Sequence, residues 1–400
     1  MKRVAFVIST LSEGGAQRVL SNTVMNFPDD WEIDIILNDT KDVVFGYKGN
    51  LIDLGIHPVS DKQNVFYQGY VFLRRIFKLK RLKRTRNYLA VISFMDSANI
   101  ANVISGKRYC KTLLSVHCNL TAFQKNPVYR YIVTPLVKLF YRYGDAVIGV
   151  SEGVSLDLRN HYGISAHKVV TIANGFDSDY IRKKSQEKIA QAYDDILNEK
   201  PVLIAMGRLE EPKGFWHLIR ALTKLREMVS DFKLIILGEG SQRSYLEQLT
   251  EELGLSQHVI FCGFCKNPFP FLAKAKTLVV SSTHEGFSNV TAEALCLGIP
   301  VVSTDIDYGP REILAPDTDL EKRVKAKLEI ARCGILTPMC DGIMYDSKQP
   351  LTREEELLAK GMALMLTDEK LYTELKENIK GRTEELQVSR MVDKWLKLLE

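Results

Sequence analysis

Thr277-Leu-Val-Val-Ser-Ser-Thr-His-Glu285-Gly-Phe-Ser-Asn-Val-Thr-Ala-Glu293-Ala-Leu-Cys-Leu-Gly-Ile-Pro-Val301-Val-Ser-Thr-Asp305 carries the clearest alternation of buried strand and helix in the chain. Residues 277–281 form a short apolar run without polar alternation, the signature of a strand covered on both faces. A loop follows, and a helix is expected to begin near Ser288–Asn289. The apolar run at 299–303 then opens a second strand. A strand, a helix and a further buried strand make one unit of a parallel sheet.

The same alternation extends in both directions. Short apolar runs lie at 3–9, 32–37, 90–94, 111–116, 145–150 and 168–172, then at 202–206, 232–237, 258–261, 277–281, 299–303 and 333–336, with helical pattern between them. This predicts an α/β protein of two Rossmann-like domains, since 400 residues exceed one ordinary core. The alternation lapses between about 178 and 200, where Ile181-Arg-Lys-Lys-Ser-Gln-Glu-Lys is polar and Pro201 opens the next strand. Domains over 1–180 and 195–382 are therefore expected, with residues 352–400 helical throughout.

Composition excludes several classes. Hydrophobic residues make up 46% and charged residues 26%, the balance of a globular enzyme rather than a disordered chain. No run approaches the ~20 apolar residues a membrane span requires. Val4–Ile8 is too short for a signal core and reads as a first strand, so a cytoplasmic location is expected. Seven cysteines, an odd number in a long chain, argue against a disulfide framework. Cys262 and Cys265 form a lone C-x-x-C without a second pair at zinc spacing, and are read as free thiols.

The net charge of +5 is unevenly spread. Residues 1–180 carry 23 Lys+Arg against 15 Asp+Glu, and the remainder 31 against 34. Residues 74–86 alone hold Arg74, Arg75, Lys78, Lys80, Arg81, Lys83, Arg84 and Arg86, and over 70–86 Phe72, Leu73, Ile76, Phe77 and Leu79 fall near helical spacing. A basic amphipathic helix over 70–86 fits the inner face of an anionic membrane or a lipid diphosphate. A solvated helix face and a nucleic-acid patch are the alternatives, but no nucleic-acid motif accompanies these residues, so no nucleic-acid partner is expected.

The chemistry concentrates at 281–312. Glu285 lies in the loop and Glu293 a turn into the helix, eight residues apart, and the helix N-terminus between them suits a phosphate. Two carboxylates flanking a phosphate site can accept hydrogen bonds from hydroxyls on either side, which is the layout of a nucleotide diphospho-sugar. Gly14 and Gly15 follow the first strand, where glycine lets backbone approach a phosphate closely. Asp305-Ile-Asp307 spells D-x-D at the end of a strand, a position that the family resemblance described next reserves for a turn, and a metal role is rejected.

The order of these motifs resembles the family 4 glycosyltransferases, retaining enzymes of the GT-B fold. The resemblance spans nearly the whole chain. It includes Gly14-Gly15-Ala16, Ser-Glu-Gly-Val at 151–154, Asn-Gly-Phe-Asp at 174–177, Gly-Arg-Leu-x-x-x-Lys-Gly at 207–214, Gly-Glu-Gly at 238–240, the Glu285/Glu293 pair, Gly-Ile-Pro-Val-Val at 298–302 and Gly-Pro-Arg-Glu at 309–312. It implies two sheets facing across a cleft, an acceptor-binding first domain, a donor-binding second domain and a C-terminal helix (383–400) crossing back to the first. It assigns Glu293 to the ribose, Glu285 to the transferred sugar, and the N–H groups around Ser288, Asn289 and Val290 to the diphosphate. Arg208 and Lys213 would neutralise the leaving diphosphate without a metal or other cofactor. His117 is placed against the sugar, with a structural histidine as the alternative, and Phe264 lies in the loop that contacts the base. The implied reaction moves a hexose or N-acetylhexosamine from a UDP-sugar to a lipid-linked or other glycan acceptor in surface polysaccharide biosynthesis, at the membrane periphery. The rivals are a UDP-sugar 2-epimerase on the same scaffold and a non-catalytic sugar-nucleotide-binding subunit.

Overall fold

The computed structural model describes residues 2–12, 14–56 and 65–400. The chain divides into two compact units, residues 1–175 with 388–400, and residues 176–387.

The first unit runs β1 (Lys2–Val7), α1 (Gly15–Met25), β2 (Trp31–Leu37), β3 (Asn50–Asp53), α2 (Val65–Thr85), β4 (Ala90–Phe94), α3 (Asp96–Ile104), β5 (Lys111–Val116), α4 (Thr134–Phe140), β6 (Ala146–Gly149), α5 (Glu152–Tyr162) and β7 (Val169–Thr171). Its strands pair in the order β3-β2-β1-β4-β5-β6-β7, all parallel. Val4, Ala5, Phe6, Ala90, Val91 and Ile92 are buried on both faces of the sheet, which is why these strands read as unbroken apolar runs.

The second unit runs α6 (Ser178–Ser185), α7 (Gln191–Glu199), β8 (Val202–Met206), α8 (Phe215–Met228), β9 (Lys233–Leu237), α9 (Arg243–Glu252), β10 (Val259–Gly263), α10 (Phe269–Lys274), β11 (Thr277–Val280), α11 (Asn289–Cys296), β12 (Val301–Thr304), α12 (Pro310–Leu314), β13 (Glu329–Ala331), β14 (Gly334–Thr337), α13 (Arg353–Thr367) and α14 (Glu369–Glu385). Its sheet order is β10-β9-β8-β11-β12-β14-β13, parallel except for the β13–β14 edge. A final helix, α15 (Val388–Leu399), belongs to the first unit, where Met391, Val392, Trp395 and Leu399 join Phe6, Phe94 and Leu113 in its core.

Two expectations are corrected. The stretch 178–200, read as a lapse between domains, folds as α6 and α7 within the second unit. Its polar composition reflects exposed helix faces rather than a linker, and only Ser178, Ile181 and Leu197 turn inward. The region after 352 is broken at Asp368 and Gln387, and the segment joining the first unit begins at Val388 rather than 383. Among the described residues no helix is long and apolar enough to cross a membrane.

Candidate active site

In a doubly wound sheet the strand order reverses once, and the loops at the carboxyl ends on either side of that point splay apart. In the second unit the reversal falls between β8 and β11. The loops that follow these strands carry Arg208 and Lys213, and Ser281 through Ser288.

These loops are tied together. The Ser281 hydroxyl donates to the Lys213 carbonyl at 2.9 Å, and the Thr283 N–H donates to the Pro212 carbonyl at 2.9 Å. Gly214 sits between them in a left-handed conformation (φ +59°), and a Cβ there would meet the Ser281 carbonyl oxygen at 2.4 Å. Only glycine fits that approach. It aims the Lys213 ammonium at Glu285, whose Oε1 accepts from Nζ at 2.5 Å and from the Ser282 hydroxyl at 2.8 Å. Both donors use the same oxygen, and Oε2 accepts no hydrogen bond among the described residues. A small pocket beside the pair is lined by Met206, Lys213, Phe215, Ser282, Glu285 and Val290. Arg208 is exposed and makes no hydrogen bond or ion pair through its side chain among the described residues.

The helix expected near Ser288 begins at Asn289. Ser288 precedes it with φ 69° and ψ 67°, a left-handed conformation that is costly outside glycine and collects at functional sites. Its hydroxyl lies 2.8 Å from that of Thr291 rather than capping the helix backbone. The Phe287–Ser288 turn is braced from the other side by Gly309 (φ +99°), where a Cβ would lie 2.5 Å from the Phe287 carbonyl oxygen. Glu293 is buried within α11. Lys213, Glu285 and Val290 thus line one pocket, with Glu293 farther along the helix that starts beside it.

Phe264 follows β10 and is exposed, leaving an aromatic surface at the carboxyl end of the same sheet. Cys262 and Cys265 are free thiols there, and burial pushes the Cys262 thiol up to about 11. Asp305 is occupied internally. Arg311 donates to both of its oxygens, the shortest bond being 2.6 Å, and the Val324 N–H donates to it at 2.7 Å. Burial works against the Arg311 charge, but the hydrogen bonds to Asp305 and Glu329 more than offset that and raise its pKa. Sequence reasoning missed the support that Ser281 and Ser282 give. The only signal was a hydroxyl run directly after a buried strand.

In the first unit the strand order reverses between β1 and β4. Gly14 precedes α1 with φ 142°, and Gly15 is the first residue of that helix. His117 follows β5, stacks on Phe94 with ring centroids 5.0 Å apart, and has Nε2 2.9 Å from the Ser115 hydroxyl. Burial of the ring pushes its pKa down to about 3, so the imidazole is neutral at physiological pH. Nearby, Asp96 accepts hydrogen bonds from Tyr141 at 2.6 Å and from Tyr129, while its burial raises the carboxyl pKa. Met95, just before it, is held at φ 75° with its side chain exposed. Sequence reading did not single out this cluster, because its members are 12 or more residues apart.

Helix α2 carries the basic segment, with one correction. Arg75 and Lys83 are buried rather than presented outward. Arg75 donates to Asn38 at 2.9 Å and to Ser9 and Ser97, and Lys83 donates to the Asn102 carbonyl at 2.7 Å. Lys80, Arg81, Arg84 and Arg86 remain exposed, beside exposed Tyr70, Leu73 and Phe77.

Two parallel α/β units of this kind define the GT-B architecture. Solved structures that share it along the whole chain include Anabaena HepE in complex with UDP and glucose (TM-score 0.74, 17% identity, 100% of this chain and 99% of that one) and the sucrose-phosphate synthase of Thermosynechococcus elongatus (TM-score 0.76, 17% identity, 100% and 98%). Residues 13–180 match the model of Glycosyltransferase Family 4, and residues 186–322 that of Glycosyl transferases group 1. An uncharacterised glycosyltransferase of Methanocaldococcus jannaschii is 30% identical over 342 residues, covering 83% of this chain and 84% of its own length. The N-acetylgalactosamine-N,N'-diacetylbacillosaminyl-diphospho-undecaprenol 4-alpha-N-acetylgalactosaminyltransferase of Campylobacter jejuni is 30% identical over 323 residues, covering 79% and 84%. The chain belongs to the family 4 glycosyltransferases.

Proposed function

We propose that the protein is a retaining, metal-independent glycosyltransferase that moves a hexose or N-acetylhexosamine from a UDP-sugar to a lipid-linked glycan acceptor. The observation that carries this reading is the Lys213–Glu285 pair at the point of strand-order reversal in the second sheet, with α11 starting beside it. Lys213 and Arg208 neutralise the diphosphate as it departs, together with N–H groups of Ser288, Asn289 and Val290 at the positive end of α11. Glu293 accepts from the ribose, Phe264 lies by the base, and the open Oε2 of Glu285 accepts from a sugar hydroxyl. His117, neutral at working pH, hydrogen-bonds the sugar without taking a charge, and Gly14 and Gly15 leave room for phosphate.

No protein group is needed as nucleophile. The acceptor oxygen attacks the anomeric carbon from the side the diphosphate leaves, and its proton passes to a phosphate oxygen of the leaving group. A lipid-linked acceptor is supported by the diphospho-undecaprenol substrate in the name of the Campylobacter relative, and UDP by the Anabaena crystal complex. The exposed basic and aromatic face of α2 then serves as a membrane contact.

The test is release of UDP from a panel of UDP-sugars, with and without undecaprenyl-diphosphate-linked glycan, in the presence of EDTA. Acceptor-dependent release that EDTA does not reduce is expected. Release without acceptor, accompanied by a 2-epimeric sugar, would identify an epimerase, and binding without turnover a non-catalytic subunit.

A further inference from the structure

A second surface of the first unit has a face that water alone does not explain. The chain is helical from 127 to 143, a π-helical turn (Tyr129–Val133) running directly into α4. Its inward positions are Thr134, Val137 and Tyr141, all buried. Several of its outward positions are large apolar residues. Tyr131 is 70% exposed, Val128 58% and Ile132 55%, and Leu139 and Tyr143 are exposed along the same helical stretch. An ordinary surface helix places its apolar residues inward and polar ones outward, whereas this one shows apolar side chains on both faces.

The charged side chains exposed along this helical stretch are all basic. Between Asp96 and Asp145 the sequence holds no acidic residue, and Arg130, Lys138 and Arg142 stand exposed among the apolar groups. Two of these cations lie over neighbouring tyrosine rings, Arg130 over Tyr131 at 5.5 Å and Arg142 over Tyr143 at 5.0 Å. Apolar side chains flanked by tyrosines and cations make up the composition of a helix lying in a membrane interface, where tyrosine sits at headgroup depth. A protein partner would need its own acidic surface, and exposed patches of this kind are seldom left uncovered on a monomer. The stretch is also fixed from within, since Tyr129 and Tyr141 both donate to the half-buried Asp96.

We infer that residues 128–143 form a second membrane-docking surface, separate from α2, that seats on an anionic bilayer. The inference deepens the membrane reading of α2 and rests on it only for the choice of partner.

The full chain is sedimented with vesicles of phosphatidylglycerol mixed with phosphatidylcholine, and with phosphatidylcholine alone. Ile132→Ser/Leu139→Ser is expected to weaken partition onto the anionic vesicles about tenfold, and Arg130→Gln/Arg142→Gln to weaken it and reduce its salt dependence. Thermal melting checks that both variants are folded, which is expected because the altered side chains are exposed. Phe77→Ser in α2 is expected to weaken partition independently, its effect multiplying with the others. Unchanged partition of the Ile132/Leu139 variant, or equal binding of the parent to phosphatidylcholine alone, overturns the proposal. So does a parent dimer that the same substitutions convert to monomer, which would make a second copy the occupant. The assay contains no nucleotide sugar and no glycan acceptor, so its failure leaves the donor assignment standing, and failure of the donor assay leaves this one intact.

Discussion

Lys213 and Ser282 converge on a single oxygen of Glu285, and of the two only Lys213 brings a charge. Lys213→Ala is expected to lower kcat by about 100-fold or more at saturating donor, the usual cost of losing one preorganised charge-stabilising group. Steady-state UDP release measures it, and a loss confined to KM would contradict the leaving-group role. Asp305 makes a different prediction. Asp305→Ala leaves the buried Arg311 with the half-exposed Glu329 as its one counter-charge among the described residues, and should lower unfolding stability by about 3–5 kcal/mol in urea titrations. At this scale the placement of Glu285 in a loop and of Glu293 in the helix after it was legible in the sequence, because a buried strand followed by a helix start fixes where each must fall. The pairing of Asp305 with Arg311 was not, since it depends on how the chain turns through Gly309 and Pro310.

Helix α2 shows how far an element can be read. Its basic, amphipathic character is plain from the sequence. Which cations face inward was also accessible in principle, because positions 75, 79 and 83 recur every four residues and share one face with Ile76. The charges of Arg75 and Lys83 argue against an inward position, yet a long aliphatic stem can be buried while its tip finds a carbonyl. Burial holds the Lys83 pKa down to about 8. Below that pH the ammonium is charged in both the folded and unfolded chain. Between about 8 and 10.5 the unfolded chain keeps a proton that the folded one has released, so stability rises with pH. The parent protein should therefore gain about 1–3 kcal/mol relative to Lys83→Met over that window, read from denaturation curves at pH 7.5 and 10.5. The strands β3 and β13 escaped the sequence reading for a simpler reason. Both are edge strands with at most one buried residue, so neither carries an apolar run.

The molecule as a whole was legible as two parallel-sheet units, because every interior strand is covered on both faces and advertises itself as an apolar run. The boundary was less so, since α6 and α7 bury too few residues to look like part of a core. The proposed binding of UDP to the second unit would have a measurable global consequence. UDP at about 100 times its dissociation constant should add about 2.7 kcal/mol of stability, seen as a rise in melting temperature that Glu293→Ala and Lys213→Ala diminish. A rise unaffected by either change would move the nucleotide elsewhere.

The last helix imposes an order on synthesis. Trp395 lies 6.5 Å from the ring of Phe94, Lys111 donates to the carbonyls of Leu398 and Leu399, and Met391 packs by Thr23. The ribosome reaches these residues only after translating everything from 176 to 387. Until then the nascent first unit has an uncovered apolar flank, while the second unit already has all its strands in hand. The half of the protein made first is thus the half completed last, and its open flank during that wait is where a chaperone would be expected to hold the emerging chain.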